Sequence, residues 1–177
     1  SKEMKKIKFD TFRQMVLVII LIAMCVVWAI MSPNFLTMNN LMNVVRQASY
    51  TAIASVGMTM VIIIGEIDLS AGSLIAASGM IAAAVYKSTG NIVLAFAAAI
   101  LSGVLVGLFN GVLCAKGKLP GFIATLASMT ILRALGYIIT GGDPISVMDK
   151  TFTALGTGYL SVIPIPVIIM VICIVIG

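Results

Sequence analysis

The chain has 177 residues, of which 61% are hydrophobic and 10% charged, with a formal net charge of +5. Soluble domains carry about a quarter charged residues, so this composition, with a mean hydropathy of +1.20, points to a membrane protein. The absence of histidine excludes His-ligated metals and His-based catalysis, and Cys25, Cys114 and Cys173 lie in or beside apolar runs with no short spacing between them, as packing residues do.

Five basic residues, Lys2, Lys5, Lys6, Lys8 and Arg13, precede the first apolar run at 15–31. That run is too long for a secretory h-region, and Ala29-Ile30-Met31 lacks a small residue at the last cleavage position, so an uncleaved first helix is expected. The positive-inside rule then makes 1–14 a cytoplasmic basic tail, with Lys116 and Lys118 also inside and Arg46, Lys87 and Lys150 outside. It explains the basic balance better than a nucleic-acid partner does.

Ser32-Pro33-Asn34 breaks the chain, and Thr37 is placed to cap a new helix at Met38. Met38, Leu41, Met42 and Val45 share one helical face, with Asn39, Asn43 and Arg46 on the other, which predicts an interfacial helix on the outer surface. A second span near 47–65 follows. It carries Thr51, Ser55 and Thr59 at i, i+4, i+8, a stripe that either lines a polar passage or, more commonly, bonds its own i−4 carbonyls.

Gly65-Glu66-Ile67-Asp68-Leu69-Ser70-Ala71-Gly72-Ser73 places two of the six acids between two uncharged stretches. A charge held in hydrocarbon costs roughly 2.5–3.5 kcal/mol, so this turn is wet or buried in protein. Asp68 is expected to be the N-cap of a third span near 69–86, accepting N–H bonds from Ser70 or Ala71. Its role is read as mainly geometric, with direct solute contact the alternative.

A fourth span near 92–115 carries Ala95, Ala99, Gly103, Gly107 and Gly111 every four residues, which predicts close helix packing; Gly72, Ala76, Gly79 and Ala83 form a looser set on the third. The fifth span, near 121–140, is interrupted by Arg133, whose guanidinium must face protein, water or a snorkelling route. Thr130 and Tyr137 share its face as candidate hydrogen-bond partners, and anchor and pathway roles weigh equally. Gly141-Gly142-Asp143-Pro144 makes a turn, 145–161 an outer loop, and a sixth span runs near 162–177, cut short by the chain end. The whole of 15–177 is thus expected to be one transmembrane domain.

Gly111 to Lys118 is not a phosphate loop: five residues separate Gly111 from Gly117, and Leu119 stands where Ser or Thr would hold magnesium. No G-x-S-x-G elbow occurs. Neither a catalytic residue nor a cofactor is expected.

Several stretches, in order, resemble one family: Ser32-Pro33-Asn34-Phe35-Leu36-Thr37 with Asn40-Leu41, Gly57-Met58-Thr59, Ile67-Asp68-Leu69-Ser70-Ala71-Gly72-Ser73, Asn110-Gly111, Pro120-Gly121-Phe122-Ile123-Ala124-Thr125-Leu126, Arg133, and Gly141-Gly142 with Pro144-Ile145. The family is that of permease subunits of ribose-, xylose- and galactose-type monosaccharide ABC importers, and the chain resembles the N-terminal half. Departures are Glu66, where the family commonly has glycine, and Ala134, where glycine is frequent. The resemblance implies an all-α polytopic membrane bundle similar to the type II importer fold, about six segments of which lie here. It implies as partners a second permease copy, ABC ATPase subunits, an extracytoplasmic sugar-binding protein and membrane lipid. Asp68, Ser70, Ser73, Thr59, Asn110, Thr125 and Arg133 are the pathway or signature residues, with Gly103, Gly107 and Gly111 for packing. Two alternatives stand beside it: an ion-coupled secondary transporter using Glu66 or Asp68, and a non-transporting membrane scaffold.

Overall fold

The computed structural model describes residues 2–177, with side chains described from 15 onward, so the basic tail's side chains lie outside the described residues. The chain forms two compact units, the first ending at Gln47 and the second spanning Ala48–Gly177.

In the first unit, α1 (Lys2–Met31) joins the tail and the first apolar run in one helix. Pro33 lacks an N–H and cannot continue it. The corner that follows is held by its own polar groups: the Thr37 hydroxyl donates to Asn34 O at 2.7 Å, and Asn40 Nδ2 donates to Phe35 O at 2.7 Å. Thr37 Oγ1 accepts the Asn40 N–H at 3.4 Å, so Thr37 caps α2 (Met38–Ile63) as its sequence position predicts. The separate interfacial helix does not form. With no proline or glycine before Gly57, nothing interrupts the helix, and α2 runs unbroken through both expected segments.

The second unit takes up α2 at Ala48 and continues with α3 (Ala71–Thr89), α4 (Ile92–Ala115), α5 (Gly121–Thr140), α6 (Lys150–Thr157), a two-residue hairpin of β1 (Tyr159–Leu160) and β2 (Ile163–Pro164), and α7 (Ile165–Ile176). Its core is α3 packed against both α4 and α5. The buried apolar residues there are Ala77, Ala82, Ala83, Ala95, Ala124 and Leu132. Alanine dominates because helix association in lipid relies on close approach of backbones, the tails being as apolar as leucine. The helix ends follow local chemistry: Asn91 Oδ1 caps α4 by accepting from Val93 and Leu94 N–H, while Gly90 and Gly141 close α3 and α5 in the left-handed conformation.

The glycine stripe on α4 behaves differently from its expectation. Ala95 is fully buried, but each four-residue step advances about 40° beyond a full turn, so Gly107 and Gly111 swing to the exposed side. A Cβ added at Gly103, Gly107 or Gly111 would meet nothing within 4 Å. Among the described residues, no other helix packs onto these three glycines.

Among the described residues, α4 and α5 are long and apolar enough to cross a bilayer, while 15–31 and α7 are shorter apolar helices. The stretch 145–161 is not an irregular loop, because Asp149 caps α6, its Oδ1 accepting Thr151 N–H at 2.7 Å and Phe152 N–H at 3.2 Å. Phe152 then packs on Tyr86 and Phe96, with ring centroids 4.8 and 5.8 Å away, and Tyr50 donates to Gly156 O at 2.5 Å.

Candidate functional site

Two neighbouring sites gather most of the singled-out residues. The first starts just beyond α2 at Gly65, in the left-handed region at φ +80°, after which the chain turns back toward α3. Asp68 Oδ1 accepts both the Ser70 N–H at 2.7 Å and the Ser70 hydroxyl at 2.6 Å. The expected bond to Ser70 N–H exists, but Asp68 is not the N-cap: that residue is Ser70, and α3 begins at Ala71. Asp68 acts two residues upstream, closing the turn that delivers the chain to the helix.

From Ser70 the contacts run inward. Ser70 Oγ accepts from Asn110 Nδ2 of α4 at 3.3 Å, and Asn110 Oδ1 accepts the hydroxyl of Ser128 of α5. Thr125 Oγ1 accepts the Leu69 N–H at 3.0 Å and donates to Gly121 O at 2.8 Å. Ser70, Asn110, Thr125 and Ser128 are all buried. No buried side-chain nitrogen or oxygen among the described residues lacks a partner, which is how a polar cluster avoids the desolvation penalty of orphaned groups. Asp68, Ser70, Asn110 and Thr125, far apart in sequence, thus meet in one knot. Sequence reasoning missed Ser128, although Gly121, Thr125, Ser128, Leu132 and Gly136 recur at helical spacing and are all buried on α5.

Glu66 joins the same end of the bundle. Its Oε2 accepts the backbone N–H of Gly121 at 2.7 Å. The N-cap of α5 is Pro120, which offers no side-chain acceptor, so a carboxylate 55 residues away supplies one, where the helix dipole favours negative charge. A Cβ on Gly121 would collide with that carboxylate. The residue that departs from the resembled pattern therefore has a structural place.

The second site is an open groove of about 780 Å³ between α3 and α5, floored by Met80 and Gly136 and edged by Gly142–Ile145. Its polar lining comes from Ser73, Arg133, Tyr137, Thr140 and Asp143. Arg133, Tyr137 and Thr140 stand at i, i+4, i+7, a polar ladder about 10 Å long on one face of α5. The expected bonds from Arg133 to Thr130 and Tyr137 do not form, since Thr130 donates to Leu126 O at 3.0 Å instead. Among the described residues, the side chains of Arg133, Tyr137 and Asp143 make no hydrogen bond or ion pair. Thr59 belongs to neither site: it donates to Ser55 O at 2.7 Å as Ser55 does to Thr51 O at 2.8 Å, which is the i−4 alternative for that stripe.

The family of permease components of branched-chain amino acid transport systems matches residues 40–176. The chain belongs to this permease family. The matched range holds the turn at 66–70, Asn110, Thr125 and Arg133, so both sites are parts of a permease. The chain is similar to the ribose import permease protein RbsC of Haemophilus influenzae, 43% identical over 162 residues, covering 89% of this chain and 49% of that protein. It is 38% identical over 177 residues to RbsC of Bacillus subtilis, covering 98% of this chain and 55% of the relative. The L-arabinose ABC transporter permease protein AraH of Azospirillum brasilense is 38% identical over 137 residues, 76% of this chain and 40% of that protein. The chain spans about half the length of the curated relatives it matches. No solved structure matches it.

Proposed function

We propose that this chain is part of the membrane-spanning permease subunit of an ATP-driven ABC importer, and that the groove between α3 and α5 belongs to the path of a monosaccharide. The observation that carries the reading is that, among the described residues, the side chains of Arg133, Tyr137 and Asp143 have no partners. A sugar is a dense array of hydroxyls, and a site that takes one must keep donors and acceptors free of internal bonds. The relatives' names, ribose and L-arabinose permeases, give the substrate class its direction. Both carboxylates that an ion-coupled mechanism would use have an oxygen committed to donors, Glu66 to Gly121 N–H and Asp68 to Ser70, which favours ATP-driven import over ion coupling.

In this reading Asp68, Ser70, Asn110 and Thr125 hold the inner end of the bundle, while Ser73 and Arg133 face the solute. Six segments cross the membrane with the N-terminus in the cytoplasm. An extracytoplasmic binding protein delivers the sugar, ATPase subunits drive transport, and the half-buried Gly103 with the exposed Gly107 and Gly111 faces a second permease copy or the remainder of the full-length protein.

The deciding experiment is uptake of labelled ribose by the complete importer in proteoliposomes. Uptake should require ATP and the binding protein and ignore ionophores; uptake that follows an ion gradient without ATP overturns the reading, and so does none at all. Orientation is tested by Lys116→Cys, which should react with an impermeant thiol reagent only from the cytoplasmic side. Gly117 is unsuitable for that probe, since a side chain there would meet the Leu113 carbonyl.

A further inference from the structure

Gly136 is buried on the face of α5 that meets α3, one turn from Arg133 and next to Tyr137. A Cβ built on it would stand 2.6 Å from Met80 Cε and 3.3 Å from Met80 Sδ. The thioether tip of Met80 therefore lies directly on bare helix backbone, and both residues line the groove. This fit is particular to the one place: a Cβ added at Gly72 or Gly79 of α3 would meet nothing within 4 Å.

The wall that α3 presents around Met80 is short, with Gly72, Ser73 and Ala76. Met80 is thus the one long side chain that α3 contributes to the groove, set opposite Gly136 one turn from Arg133, and how far it stands into the groove depends on a missing methyl. Methionine is unbranched and adaptable, so a methyl at 136 would be met by moving the Met80 tip, and the open space beside that tip is the groove itself.

We propose that Met80, seated on Gly136, gauges the groove, making these two residues a specificity-determining pair that fixes the bulk of the neutral polyhydroxylated solute admitted beside Arg133. The inference rests on the groove being part of the sugar path. Discrimination by a single methyl or methylene in a pocket reaches about tenfold or more, enough to separate solutes that differ by one carbon.

The test uses the complete importer with every cysteine replaced by alanine, Cys25, Cys114 and Cys173 among them, and Ser73→Cys as a reporter on the groove wall. Two quantities are read: the labelling rate with methanethiosulfonate reagents of graded bulk and, in parallel variants that keep Ser73, the maximal rate of ATP-driven ribose uptake. Gly136→Ala should slow the bulkiest reagent about tenfold relative to the smallest and lower maximal uptake. Met80→Ala should speed the bulky reagents. The double variant Gly136→Ala with Met80→Ala should match Met80→Ala alone, because the added methyl no longer meets a side chain; this rescue separates gauging from misfolding. An unchanged size profile in Gly136→Ala, or a double variant that retains the Gly136→Ala slowing, overturns the proposal. If the unmodified importer carries no ribose while the labelling profile shifts as expected, the sugar reading fails and the gauge stands.

Discussion

Toward the start of α5, Thr125 and Ser128 have their hydroxyls bonded to neighbours in the turn, in α4 or in their own helix; about two turns further on, Arg133 and Tyr137 of the same helix make no such bond among the described residues. Both groups are polar residues in an apolar chain, and both sit on faces that other parts of the unit approach. What separates them is saturation. In the knot the hydroxyls of Ser70, Thr125 and Ser128 and the Asn110 amide meet partners in the turn or in the packed helices, and Asp68 and Glu66 each commit one oxygen, so little remains to offer a solute. In the groove Arg133 and Tyr137 are held by α5 alone and their side chains make no bond among the described residues, while Thr140 accepts only the Gly142 N–H of the turn that follows. Saturated polar groups act as scaffold and unsaturated ones as contact surface, and this division makes the knot and the groove separable by mutation.

The largest effect is expected in the knot. Asn110→Ala strips a partner from both Ser70 and Ser128, and orphaning a buried hydroxyl costs about 1–3 kcal/mol. The midpoint of thermal unfolding in detergent should fall clearly, and a midpoint equal to that of the parent would break the comparison. Arg133→Gln should do the reverse: unfolding stays within about 0.5 kcal/mol, as for surface positions away from any network, while ribose uptake falls by about tenfold or more through the loss of a charged hydrogen bond. Glu66→Ala leaves the Gly121 N–H uncapped and should cost about 1 kcal/mol. Glu66→Gln keeps an acceptor but loses the charge–dipole attraction, about 0.3–1 kcal/mol, and should fall between; if alanine and glutamine behave alike, the hydrogen bond contributes nothing.

The smallest effect lies outside both sites, at the start of α6. The N–H groups of Phe152 and Thr151 hold the Asp149 carboxyl below its ordinary range. A carboxyl with a depressed pKa in the folded state stabilises the fold above its unfolded pKa, and that stabilisation is lost as pH falls through the folded value. The Thr151 amide resonance, followed by NMR through the acid range, should report this loss. Asp149→Asn should flatten the titration, and an unchanged curve would show that Asp149 is not the group being read.

Much of the helical layout could be read from runs without charge. The spans read as 92–115 and 121–140 correspond in extent to α4 and α5, because Asn91 and the Pro120-Gly121 pair punctuate the sequence where the apolar runs begin. Elsewhere, capping and breaking residues decide boundaries that charge does not mark. Ser70 instead of Asp68 starts α3, nothing divides α2 at 47, and Asp149 raises α6 from a stretch whose apolar residues look like patches. The family signature was legible as a set of residues, but their meeting was not: Asn110 and Ser128 are brought to Ser70 only by the packing of α3, α4 and α5. The role of Glu66 was hidden for the same reason, since its partner is a backbone N–H and backbone groups leave no mark in a sequence. Arg133 stood out by charge alone, and its lack of partners among the described residues became visible only in three dimensions.

The cap that Glu66 provides also constrains how this sequence can drift. A Cβ at position 121 would have to displace the Glu66 carboxylate, and position 66 needs its length only while α5 begins with a bare backbone. The two positions, more than fifty residues apart, are thus coupled through one contact. Homologues carrying a side chain at 121 are expected to carry a short residue at 66, and exchanging either position alone between such chains should destabilise the protein more than exchanging both.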